Sequence, residues 1–232
     1  MTQAPTQKQG VILLSGGIDS ATTLVLARDK GVALHALSFQ YGQRHHHELT
    51  YASILAKHYN LPHTTVTIES ALFRNSALTD TRLAVPQPTS VAAIKQQGIP
   101  TTYVPARNNL FLAYALAYGE SHAISAIFFG ANIIDYSGYP DCRPEFIDSW
   151  QKTANLATKI GREKPITLHA PLLKMGKRAI IETGLRLGLD YAQTWSCYDP
   201  TPDNQPCGRC DSCVLRADAF RELGVTDPLL KR

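Results

Sequence analysis

Two groups of residues in this sequence could do chemistry. The first is Leu14-Ser15-Gly16-Gly17-Ile18-Asp19-Ser20, which joins a short apolar run to a helical pattern. Paired glycines let the backbone turn tightly and approach an anion without a Cβ in the way. The N–H groups and positive end of the helix that follows then cradle phosphate. Ser15, Ser20, Thr22 and Thr23 add hydroxyl donors. Neither the Gly-Lys-Ser/Thr ending of a Walker loop nor the three-glycine dinucleotide fingerprint is present. Asp19 is an odd neighbour for phosphate unless it helps to hold Mg²⁺, which makes it a candidate ligand. The second group is Cys197, Cys207, Cys210 and Cys213, the last three within Cys-Gly-Arg-Cys-Asp-Ser-Cys. Clustered cysteines in a cytosolic chain point to metal rather than to disulfides. Four thiolates suit a closed, tetrahedral, structural Zn²⁺ site. An iron–sulfur cluster or reactive thiols are the alternatives.

The elements that must position these groups follow from the apolar pattern. Strands are expected at 11–15, 32–39, 64–68, 123–130 and 167–171, and helices at 18–29, 46–59, 108–121, 148–160 and 177–187, the last stopped by Gly188. Such alternation implies parallel β–α–β units and an α/β, doubly wound sheet. Residues 76–105, rich in Pro, Thr, Gln and Gly, should be irregular and close to the site. Residues 1–9 are expected to be a frayed tail and 10–192 the α/β domain that carries the glycine loop. Residues 193–232, where Cys, Pro, Asp and Asn replace the alternating pattern, are expected to be a metal-held segment. At 44% hydrophobic and 18% charged, the 232 residues have an ordinary globular composition. No apolar run approaches the roughly 20 residues of a membrane span, and no signal-like stretch opens the chain, so a cytoplasmic location is expected. The formal charge is only +4, and thiolates on zinc would lower it further, so direct nucleic-acid binding is not expected.

Ser-Gly-Gly-x-Asp-Ser matches the loop of the PP-loop ATP pyrophosphatases, which cleave ATP between the α and β phosphates and pass AMP to a substrate oxygen. Further motifs narrow the match. Phe39-Gln40-Tyr41-Gly42-Gln43-Arg44-His45, Val104-Pro105-Ala106-Arg107-Asn108, the segment 135–146 around Tyr139-Pro140-Asp141-Cys142-Arg143, and Thr194-Trp195-Ser196-Cys197 occur in order, followed by the cysteine triplet. Over about residues 10–223 the chain resembles the 7-cyano-7-deazaguanine synthase (QueC) family. That resemblance implies an adenine nucleotide alpha hydrolase-like fold, one zinc per subunit and a homodimer. It also implies conversion of 7-carboxy-7-deazaguanine, ammonia and ATP, with Mg²⁺, into 7-cyano-7-deazaguanine (preQ0). Adenylation turns a poor oxygen leaving group into a good one, first on the acid and then on the amide.

The same resemblance suggests roles. Leu14, Ser15, Gly16, Gly17, Ile18, Asp19, Ser20, Ala21, Thr22, Thr23 and Leu24 should hold ATP, with Arg107 and Asn108 adding nucleotide contacts. Asp19 and Lys177 are the catalytic candidates. Lys177 would neutralise phosphate charge, with Lys174 as its competitor, although Gly176 stands where a small hydroxyl residue often precedes the lysine. Arg44, Asp135, Tyr136, Ser137, Asp141, Arg143 and Glu145 are the substrate candidates. Among them, carboxylates would accept from the base's amine and ring N–H, and Arg44 or Arg143 would pair the substrate carboxylate. Cys142 reads as a pocket or core thiol rather than a nucleophile, because adenylation already supplies the activation. His45-His46-His47 cannot converge on one ion, since consecutive residues face different sides of a helix. A helix start with His45 useful and the other two solvated is the expectation. Rival readings are a tRNA-modifying PP-loop thiolase or ligase, an ammonia-dependent amidating synthetase, and a non-enzymatic zinc module.

Overall fold

A computed structural model describes residues 8–96, 98–134 and 139–231. Five parallel strands form one sheet in the order β3-β2-β1-β4-β5. They are β1 (Gln9–Leu13), β2 (Ala33–Gln40), β3 (His63–Thr67), β4 (Ala126–Phe128) and β5 (Thr167–His169). The helices are α1 (Ile18–Asp29), α2 (His47–His58), α3 (Val91–Lys95), α4 (Arg107–Ser121), α5 (Pro144–Ala157), α6 (Lys159–Glu163), α7 (Lys177–Arg186) and α8 (Asp211–Glu222).

β1 shows why the sheet lies between two helical layers. Side chains alternate along a strand, and both faces of β1 are buried. Val11 and Leu13 join a core with Phe39, Leu112, Ala115 and Trp150. Ile12 and Leu14 join a second core with Leu24, Leu55, Ile180 and Phe220. A strand covered on both sides reads as a continuous apolar run, as Val11–Leu14 does. α1 is buried almost all round, between the sheet and α7. Its Thr22 and Thr23 hydroxyls therefore donate to the carbonyls of Ile18 and Asp19 four residues back, both at 2.9 Å.

The chain runs from β1 outward to β3, then returns to place β4 on the other side of β1. The point where the strand order reverses lies between β1 and β4, and at such a point the carboxyl ends of the strands open a crevice. The loop after β1 and the segment after β4 both lead into it.

Some boundaries differ from the pattern. α5 begins at Pro144, four residues earlier than expected, because proline suits the first helical position, where its missing N–H costs nothing. β4 is shorter than expected, since Ala123 adopts a positive φ of 58° and ends the preceding turn. The expected irregular stretch 76–105 contains one short helix, α3, capped by the Ser90 hydroxyl. α8, within the cysteine-bearing tail, puts Ala219 and Phe220 into the second core. Among the described residues no helix is long and apolar enough to cross a membrane.

Candidate active site and metal centre

The glycine loop is held open by its neighbours. Gly16 has φ +82°, and a Cβ there would lie 2.6 Å from the Ala52 nitrogen and closer still to the Glu48 carbonyl. Only glycine lets α2 pack this tightly on the loop. Gly130, after β4, faces the backbone of Asp19 and Ser20 at 3.1 Å from an added Cβ, so the start of α1 leans on the neighbouring strand. Ser20 Oγ donates to the Gly17 carbonyl at 3.1 Å and accepts the Ser15 N–H at 3.2 Å. Gly17 caps α1 without a side chain, leaving the first-turn N–H groups for an anion.

This loop forms one wall of a cavity of about 250 Å³ in the crevice. Lys177 opens α7 and reaches across so that its Nζ donates to both Asp19 carboxylate oxygens, at 2.6 and 2.8 Å. The turn that delivers Lys177 is pinned by Asn132, whose amide donates to the Met175 and Leu172 carbonyls. Phe39 and Phe111 line the same cavity, stacked at 4.0 Å between centroids. Arg107 donates to the Tyr41 hydroxyl at 3.1 Å and lies over the Tyr41 ring. Its burial disfavours the charge, but the pull of Tyr41, Tyr139 and Glu48 outweighs that and holds the guanidinium firmly protonated. Asn108 Nδ2 donates to Cys142 Sγ at 3.4 Å. Burial, reinforced by Asp141, pushes the Cys142 thiol up to about 12, so it is a neutral cavity-lining thiol.

The four tail cysteines converge, with their sulfurs all within 4.8 Å of one another. A tetrahedral zinc with bonds of about 2.3 Å needs sulfurs slightly closer than this. Backbone N–H groups already serve the sulfurs. Cys207 and Asp199 donate to Cys197 Sγ at 3.2 and 3.4 Å, and Cys210 donates to Cys207 Sγ at 3.3 Å. Such donors stabilise thiolate charge, so the residues fit a closed metal site. The knuckle is tied to the loop through Trp195, whose N–H donates to the Gly16 carbonyl at 2.9 Å. Arg216 fixes the residues on either side, donating to Thr194 Oγ1 at 2.9 Å and to Ser196 Oγ at 3.3 Å. Asp227 grips the same guanidinium in bidentate fashion at 2.6 and 2.8 Å.

Residues 9–224 match the family model described as queuosine biosynthesis protein QueC. The chain belongs to the QueC family. A relative from Frankia casuarinae is 52% identical over 94% of this chain and 92% of its own length. One from Methylococcus capsulatus is 51% identical, over 95% and 97%. One from Rickettsia felis is 50% identical, over 96% and 98%. All three are named 7-cyano-7-deazaguanine synthase.

Placed on this QueC-family structure, the residues singled out from the sequence divide sharply. Leu14, Ser15, Gly17, Ile18, Asp19, Ser20, Arg107, Asn108 and Lys177 line the cavity. Ala21, Thr22, Thr23 and Leu24 lie buried behind it, with both threonine hydroxyls turned to α1's own carbonyls. Lys174 is exposed and off the cavity, so of the two lysines Lys177 stands at the loop. Arg44 also lies off the cavity. Its guanidinium donates to the carbonyls of Ala77, Leu83 and Thr81 at 3.1, 3.0 and 3.3 Å, and so organises the irregular stretch. Asp141 is buried and accepts the Asn108 N–H at 3.0 Å, serving the start of α4. Arg143 and Glu145 are exposed around the start of α5. Asp135, Tyr136 and Ser137 fall outside the described residues. His46 is exposed, but His47, expected in solvent, stacks on Trp195 at 4.3 Å. His45 packs edge-on against the same indole, and desolvation with His47 beside it lowers its pKa to about 4, which keeps it neutral.

Sequence reasoning missed Glu48, Asn132 and Arg216, which all line the cavity. Glu48 lies three residues after His45, in the first turn of α2, and its nearness to the recognised Gly-Gln-Arg-His motif was the available signal.

Proposed function

We propose that this chain converts 7-carboxy-7-deazaguanine and ammonia into 7-cyano-7-deazaguanine at the expense of ATP. The observation that supports it best is the shared cavity. A phosphate-type backbone loop with the Asp19–Lys177 pair faces an aromatic wall suited to a flat base. With the β,γ-phosphates on the loop, a substrate carboxylate oxygen attacks the α-phosphorus and pyrophosphate leaves. Ammonia then adds to the acyl carbon, AMP leaves with the oxygen, and a proton is lost to give the amide. A second ATP adenylates the amide oxygen. Loss of AMP and of the remaining N–H protons leaves the nitrile.

Lys177 is the cation that offsets phosphate charge as the α–β bond breaks. Asp19 is the carboxylate that would hold the Mg²⁺ accompanying ATP. Cys197, Cys207, Cys210 and Cys213 would hold one structural Zn²⁺, a reading supported by their convergence and by the N–H groups on their sulfurs. A homodimer, which the family resemblance implies, and a cytoplasmic location complete the reading. The substrate in this reading is a free base rather than tRNA, consistent with the small net charge.

The test is direct. Zinc-loaded chain incubated with the acid, ATP, Mg²⁺ and ammonium should yield the nitrile by mass spectrometry, with AMP formed in step. A folded sample that releases no nitrile would refute the assignment.

A further inference from the structure

Glu48 sits in the first turn of α2, directly over the glycine loop, and lines the cavity together with Arg107. The cavity has only one other carboxylate among the described residues, Asp19, and Lys177 occupies both of its oxygens. Gln43, the nearby amide, is also engaged, with its oxygen on the Tyr41 N–H and its nitrogen on the Phe39 carbonyl. Glu48 therefore stands apart. Among the described residues no hydrogen bond or ion pair to its carboxylate is found, although Arg107 is close enough to act on it electrostatically. Burial holds its carboxyl above the usual carboxylate range, with Arg107 opposing. A poorly solvated acceptor of this kind gains most from a ligand that brings donors.

The base in the reaction proposed above carries such donors. A guanine-type ring presents its N1–H and 2-amino group side by side, and one carboxylate can accept both. Adenine presents a bare N1 lone pair on the same edge, which a carboxylate repels. Adenine thus offers a carboxylate one donor beside a repelling lone pair, where the deazaguanine offers two donors. This favours the deazaguanine as the partner of Glu48, with Phe39 and Phe111 providing apolar surface in the same cavity.

We infer that Glu48 is the specificity-determining residue that reads the two-donor edge of the deazaguanine substrate. The inference rests on the function proposed above, and the experiment separates the two. The measurements are steady-state kinetics of nitrile formation with 7-carboxy-7-deazaguanine and with its 2-deamino analogue, alongside equilibrium ATP binding. The unaltered protein should prefer the 2-amino substrate by on the order of 10²-fold in kcat/KM, because an acceptor covered by the bound base and left without its donor is costly. Glu48→Gln should raise KM for the base by about 10- to 100-fold and shrink that preference below about tenfold, with ATP binding unchanged. Glu48→Asp, which keeps both acceptor oxygens, should retain most of the preference. Unchanged base KM and preference in Glu48→Gln would overturn the inference. So would equal behaviour of the two variants, or loss of ATP binding in both, since each would show a structural role. Absence of nitrile from the unaltered protein would instead sink the reaction assignment, and the inference with it.

Discussion

The Asp19–Lys177 and Arg216–Asp227 pairs close to the same 2.6 Å, yet the protein uses them in opposite ways. Arg216 and Asp227 are 4% and 5% exposed, and the guanidinium is surrounded by acceptors from Tyr191, Thr194 and Ser196. Lys177 and Asp19 are 15% and 29% exposed and face the open cavity. A guanidinium suits the first setting because its flat fork can satisfy several fixed partners at once. An ammonium suits the second because it is a compact charge that can swing to a ligand. The arginine pair therefore holds the site together, while the lysine pair is placed to act in it.

Three substitutions should sharpen that contrast, and the metal knuckle gives the largest effect. Zinc binding in small metal-held peptides contributes about 10–16 kcal/mol, so disrupting the site removes more than any single side chain supplies. Cys210→Ser is expected to release bound zinc, seen by metal analysis, and to lower Tm sharply. Retained zinc with unchanged Tm would argue against a four-cysteine site. Arg216→Ala should come next, at about 3–5 kcal/mol in denaturant unfolding, because it strands the buried Asp227 carboxylate. If stability barely moves, the latch reading is wrong. Lys177→Ala should show the reverse profile. Its kcat is expected to fall by about 10²–10³, while stability changes by no more than about 1 kcal/mol, as for a partly exposed pair. A large stability loss without a catalytic one would make the two pairs equivalent and end the comparison.

How much of this was legible in the sequence depended on range. The glycine loop was readable because its requirements are local: two glycines, a preceding apolar run and a helix behind. The cysteine cluster was readable because spacing alone brings soft ligands together. The apolar run of β1 and the alternating order of strands and helices gave the doubly wound sheet for the same reason. Residues whose partners lie far along the chain were not readable. Arg44 looked like a substrate cation, but the carbonyls of 77–83 claim its guanidinium. Thr22 and Thr23 looked like phosphate donors, but burial of α1 on all sides turned them inward. Arg216 gave no local sign that it bridges Thr194, Ser196 and Asp227. The early start of α5 was foreshadowed by Pro144, whose signal the surrounding polar residues concealed.

The hydrogen bond from the Trp195 N–H to the Gly16 carbonyl ties an early turn to one made much later along the chain. During translation the amino-terminal turn must wait, unclamped, while some 180 residues are added, about ten seconds or more at ordinary elongation speeds. Until Trp195 has been made the loop lacks that clamp, so the anion cradle gains its last backbone support only after most of the α/β sheet has been synthesised.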